Sequence, residues 1–194
     1  SGGKTNEYPA TFGICETVRR LTHAQQWTPS FPGVSASAGG TSASVIGRTV
    51  VPTEHVVILD RGATHGLAPD AILLAAEGLV GRILEVQPTT SLALLLTDPN
   101  SRVACLVERS RESGVLVGTG EGVMQLLYLD LDADVVVNDR VVTAGLGGPF
   151  PKGLPAGTVV KVSRDEHAAT VKVWVRPAAR LNRLEDVVCV PPAS

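Results

Sequence analysis

The sequence predicts an all-β protein, a barrel or sandwich fold made of two similar barrel-like units behind a distinct N-terminal segment. Three observations carry that reading. Valine is the commonest residue at 28 copies, and Leu adds 21. Valine branches at Cβ, loses rotamer freedom in a helix and packs well on a pleated surface. Short apolar runs recur with starts roughly 8–14 residues apart, separated by Gly, Pro, Asn and Asp, as barrels and sandwiches require. Helical periods between those runs are absent. Finally, the chain echoes itself. Val57-Ile58-Leu59-Asp60 leads through Gly66 and Asp70 to Gly78-Leu-Val-Gly81 and a last apolar run at 91–97. Leu127-Tyr128-Leu129-Asp130 leads through Asp139 to Gly153-Leu-Pro-Ala-Gly157 and a run at 170–175.

Taken in order, residues 1–43 stand apart. They contain Pro9, Pro29 and Pro32 and end in a run of Ser, Ala and Gly with too little apolar surface to offset ordering entropy. Within them Ile14, Val18, Leu21 and Gln25 fall at helical spacing, so a short helix over 13–26 is one expectation and a partly disordered segment the other. Strands are predicted at 44–51, 55–60, 71–76, 79–87, 91–97 and 102–108. The second set falls at 114–118, 123–131, 140–144, 157–164, 168–177 and 186–190. The cleanest is Val171-Lys172-Val173-Trp174-Val175-Arg176, whose period of two sends the valines to one face. Pro177, with no N–H to donate, closes it. The division expected from the echo is a first barrel over 44–112 and a second over 113–190.

Composition excludes several functions. A formal net charge of −2 leaves no electrostatic footprint for nucleic acid. No apolar run approaches the ~20 residues that span a bilayer. The chain opens Ser1-Gly2-Gly3-Lys4, which reads as a trimmed start, so a missing anchor carries no weight. Cys15, Cys105 and Cys189 lie far apart, and the last two sit in strand-like runs as buried hydrophobes. His23, His55, His65 and His167 have no metal-ligand spacing and are expected at the surface or in turns. Asp130, Asp132 and Asp134 imitate half a calcium loop, but Val135 and Val141 stand where glycine and a bidentate glutamate belong. Gly118-Thr-Gly120-Glu-Gly122 opens into a strand, so it is expected to turn a hairpin and not to cradle phosphate. No cofactor is implied.

From Val57 to Val190 the chain resembles the extracytoplasmic part of the bacterial rod shape-determining MreC family. Four stretches carry the resemblance: Ile58-Leu-Asp-Arg-Gly62, Gly78 to Val86, Leu94 to Pro99, and Asn138 to Val159 with Gly145-Leu-Gly-Gly-Pro-Phe150-Pro-Lys152 inside it. Two departures are Asn138 where glycine is expected, and Ala144 where serine is expected. The resemblance implies two six-stranded β-barrels, matching the twelve strands above, behind a membrane helix and coiled coil. It implies a scaffold without catalysis in the cell-elongation machinery, periplasmic or otherwise extracytoplasmic and anchored to the cytoplasmic membrane. Implied partners are a second copy in a dimer or filament, a class B penicillin-binding transpeptidase, and MreD with the MreB cytoskeleton. Sustained heptads, however, are missing here.

Candidate partner contacts are Leu146, Phe150, Pro151 and Lys152, an aromatic on a Gly/Pro-rich tip, with Trp174 on the polar face of its strand and Tyr128 as a weaker addition. Phe150 has an alternative, to tuck down and plug its own barrel. Ile14, Val18 and Leu21 are candidates for a self-association helix. Two other functions compete with the scaffold. A double-barrel hydrolase, active or degenerate, needs a hydroxyl or thiol set against an imidazole in a cleft, yet no nucleophile motif occurs. A small cell-wall ligand would need a pocket.

Overall fold

A computed structural model describes residues 39–51 and 53–193. Ile14, Val18 and Leu21 lie outside the described residues. Among the described residues twelve strands form, as the alternation predicted: β1 (Thr41–Val51), β2 (Glu54–Leu59), β3 (Ile72–Ala75), β4 (Gly78–Val86), β5 (Ser91–Leu95) and β6 (Arg102–Val107). They are followed by β7 (Ser113–Gly118), β8 (Met124–Leu127), β9 (Arg140–Thr143), β10 (Pro155–Asp165), β11 (Thr170–Pro177) and β12 (Asp186–Val190). Val171, Val173 and Val175 of β11 are buried, while Lys172 and Arg176 face solvent. β7 and β8 pair as the expected hairpin, with Gly118 opposite Met124.

The strands close into two antiparallel six-stranded barrels, in the orders β1-β12-β3-β4-β5-β2 and β10-β11-β8-β7-β6-β9. The division at 112 therefore needs correction. β6 belongs to the second barrel, and β12, the last of the described strands, completes the first between β1 and β3. Set β1–β5 against β7–β11 and the two rings have one neighbour order, with β12 filling in the first the place that β6 fills in the second. Each half thus lends its sixth strand to the other. The crossing is made at Asp98, whose Oδ1 accepts the Asn100 N–H at 2.7 Å while Ser101 N–H reaches its carbonyl at 2.9 Å. That turn steers β6 away from β5.

The echo extends to the irregularities of the ladders. β4 slips against β5 between Ile83 and Glu85, and β10 slips against β11 between Val159 and Lys161. Each bulge begins two residues beyond a glycine, Gly81 or Gly157. A bulge re-aims side chains locally. Here the extra residues, Leu84 and Val160, are both turned to solvent, 39% and 37% exposed.

A continuous apolar core runs through both barrels, from Leu59, Ile72, Leu79 and Ile83 to Leu116, Met124, Leu126 and Leu154. Each such side chain, fully buried, contributes about 1.5–3 kcal/mol. The barrels meet where Gly78 passes Pro155; a Cβ on Gly78 would lie 2.5 Å from the Pro155 carbonyl oxygen. Three expectations require adjustment. β1 starts at Thr41, three residues before the expected 44. β8 stops at Leu127 because Tyr128 takes a left-handed φ of 64°, which breaks the ladder the alternation would have continued to 131. His55 is not a surface residue: only 5% exposed, its ring meets Thr97 Oγ1 at 2.7 Å.

Candidate interaction site

The connection from β9 to β10 carries four of the six contact candidates. Its frame is Thr143, fully buried, whose hydroxyl donates to the Pro151 carbonyl at 2.5 Å and accepts the Leu154 N–H at 2.9 Å. The Thr143 N–H and carbonyl pair with Leu154 and Gly153, so the loop leaves and returns at one point. Ala144 is buried and donates its N–H to the Ala104 carbonyl at 2.9 Å; the ladder holds it without the expected serine hydroxyl. Gly145 and Gly147 then turn left-handed, φ 71° and 65°, a conformation glycine adopts without the Cβ penalty. Gly145 also packs so closely on Lys152 that a Cβ would lie 2.8 Å from the Lys152 Cβ.

This folding separates the candidates. Leu146 is thrust outward between the two glycines, 69% exposed. Lys152 faces solvent and Pro151 is half-buried. Phe150 takes its alternative: it is 7% exposed and joins the barrel core, so it supports the tip from beneath. An aromatic on a loop with two prolines and a continuing buried strand finds more apolar contact inside than out. The C-terminal tail braces the tip through Ala193 N–H to the Pro149 carbonyl, 2.8 Å. Trp174 lies elsewhere. It sits on β11 opposite Lys161, whose Nζ is 4.8 Å from the ring centroid, six residues or about 20 Å along β10 from the loop's return at Pro155.

Under the tip opens a cavity of about 550 Å³ bounded by Ala104 of β6, Val115 of β7, Phe150 and the run 145–149. Two guanidinium groups share its wall, Arg82 from the first barrel and Arg102 from the second. Arg82 is held by the Asp70 carboxylate, whereas Arg102 has no ion pair among the described residues. The site thus offers an exposed apolar knob, a positive wall and an apolar floor. Sequence reasoning missed Arg82 and Arg102, which its search for aromatics passed over. It also missed the exposed Ile46, Ile58, Leu84 and Val160. For Leu84 and Val160 a signal existed in their common offset from Gly81 and Gly157.

The second barrel's far pole holds a charge cluster in place of a calcium loop. Asp130, Asp132 and Asp134 are exposed, and Arg109 grips Asp134 at 2.6 Å and Asp139 at 2.9 Å. Asn138 takes φ 75°, the left-handed turn that asparagine tolerates. Among the described residues no group of His, Cys, Asp and Glu is arranged to hold a metal ion.

Among the described residues a hydroxyl meets an imidazole at Thr64–His65, which is exposed, and at Thr97–His55, which borders a cleft between the barrels. The neighbouring Asp98 does not orient the imidazole. Its Oδ2 accepts the His55 backbone N–H at 2.7 Å and its Oδ1 that of Asn100. Among the described residues no carboxylate bonds to the ring, and with Thr97 only 3% exposed the pair is without the third member that activates a nucleophile.

A family model described as rod shape-determining protein MreC, barrel core, matches residues 45–191. The chain belongs to the MreC family. It is 33% identical over 134 residues to the cell shape-determining protein MreC of Escherichia coli strain K12, covering 69% of this chain and 36% of that one. The crystal structure of MreC from Pseudomonas aeruginosa superposes with a TM-score of 0.75 at 33% identity, over 78% of this chain and 98% of that one. The same fold, at 17% identity and TM-score 0.60, occurs in the Helicobacter pylori MreC solved in complex with the penicillin-binding protein PBP2, over 78% of this chain and 97% of that one. The chain spans only about a third of the length of the Escherichia coli relative. MreC relatives are named for cell shape and not for a reaction, which leaves the hydrolase alternative without support.

Proposed function

We propose that this chain is the barrel part of an extracytoplasmic scaffold that determines rod shape by holding a class B penicillin-binding transpeptidase, without turnover of its own. Membership of the MreC family supports the shape-determining role, and the complex of the Helicobacter pylori relative with PBP2 supports the kind of partner. The observation that carries the reading onto this molecule is Leu146, 69% exposed on a glycine-built tip beside Arg102, which has no ion pair among the described residues. Interface hot spots favour arginine, and an exposed apolar side chain beside it is surface that a partner can bury. Lys152 and Pro151 border the same surface, and Trp174 with Lys161 gives a second contact area on β11. Self-association, the links to MreD and the MreB cytoskeleton, and anchorage to the cytoplasmic membrane belong to the same reading.

The test is titration of the chain and its Leu146→Glu variant against the extracytoplasmic part of the transpeptidase. A loss of at least about tenfold in affinity with an unchanged melting temperature is expected. Undiminished binding would remove the tip from the interface.

A further inference from the structure

The cleft beside His55 is an open cavity of about 300 Å³ where the two barrels and the segment joining β11 to β12 meet. The first barrel contributes His55, Leu95 and Thr97, and the second contributes Gly122 and Arg176. The joining segment adds Ala179, Arg180 and Leu181. We propose that this cavity binds a small organic anion, a carboxylate or phosphate monoester on a compact apolar body, which bridges the two barrels.

Charge argues first. Arg176 and Arg180 both border the space, neither has an ion pair among the described residues, and no carboxylate is among the residues that line it. Asp98, next in sequence to the lining residue Thr97, spends both oxygens on backbone N–H groups. A guanidinium presents paired N–H donors that fit carboxylate and phosphate alike. Next comes the wall between them: Leu95, Ala179 and Leu181 are buried and apolar, so a bare inorganic ion would leave most of the lining unused. The imidazole of His55, 5% exposed and anchored through Nδ1 to Thr97, fixes a polar edge at the same surface. Gly122, with φ 79° and nothing within 4 Å of where a Cβ would stand, keeps the mouth open. The volume holds the equivalent of about ten waters, room for a ligand of about ten heavy atoms. Sites of this kind favour domain junctions. A bound anion would couple the two barrels through the segment that returns β12 to the first.

The experiment uses the whole chain, titrated at low ionic strength with benzoate, phenyl phosphate and, as the uncharged control, benzyl alcohol. Binding is read by calorimetry, by the rise in melting temperature and by the His55 ring resonances. Either anion should bind, displace the His55 signals and raise the melting temperature, with benzyl alcohol without effect. Binding of benzoate alone or phenyl phosphate alone identifies which anion the forks prefer and supports the site. The Arg176→Gln/Arg180→Gln double variant should bind about tenfold more weakly or worse, with its own melting temperature unchanged. Equal binding of anion and alcohol, unmoved His55 signals, or full binding by the double variant would overturn the assignment.

Discussion

Gly81 and Gly157 stand at one and the same position of the two rings, each pressed against a carbonyl oxygen of the next strand. A Cβ would lie 1.9 Å from the Leu94 oxygen at the first and 2.2 Å from the Arg176 oxygen at the second. Both contacts are to backbone, which cannot swing aside as a side chain can. A bulge follows each of these close approaches, two residues further along the strand. Gly81→Ala and Gly157→Ala should each cost about 2 kcal/mol or more, read as a lowered urea midpoint. A variant as stable as the parent would mean that the strands can separate freely there.

Asp139 offers a pH handle. The hydrogen bonds from Arg109 hold its carboxyl below the usual carboxylate range; burial works against them and the Val136 N–H assists. A carboxyl depressed in the folded state contributes stability above its ordinary value of about 3.9, and loses it as pH falls through the lower folded value. Asp139→Asn should therefore be less stable than the parent at neutral pH. The gap should narrow below about pH 4. Denaturant midpoints across that range measure it, and a constant gap would point to shape, not charge.

Burial pushes the Cys189 thiol up to about 12, with the Asp60 charge adding a little, and burial alone pushes Cys105 upward. Thiolate is the reactive species. Neither residue should alkylate with iodoacetamide near pH 8 until urea unfolds the chain, as peptide mapping would show. Labelling of Cys105 in the native protein would mean that the second barrel opens locally.

Phe150 and Leu146 should divide cleanly. Phe150→Ala empties a core position and should cost about 3–5 kcal/mol. Leu146→Ala, at an exposed tip, should fall within about 0.5 kcal/mol of the parent. Thermal unfolding of both variants decides it. A stable Phe150→Ala would return that ring to the list of partner contacts.

Much of this architecture was readable beforehand. A period of two needs only local sequence, so Val171, Val173 and Val175 announced an inward face that the structure keeps. The glycine echo announced a repeated ring. What stayed hidden was partnership. Nothing in Asp186-Val-Val-Cys-Val190 tells which edges will accept it, because pairing depends on the exposed edges of strands far away in sequence. His55 was misplaced for a similar reason: a lone histidine near a turn carries no mark of the Thr97 hydroxyl that a remote strand end brings to it. The tip at Leu146 was legible through its glycines, but its neighbours Arg82 and Arg102 arrive from β4 and β6.

The exchange of β6 and β12 has a consequence for synthesis. A polypeptide leaves the ribosome N-terminus first, and its opening ring lacks a stave until β12 emerges. The earlier half must wait, with the unsatisfied margins of β1 and β3 open to chance pairing, while the later half can complete its own circle. Once the last ribbon is home, neither cylinder can come undone without disturbing its twin.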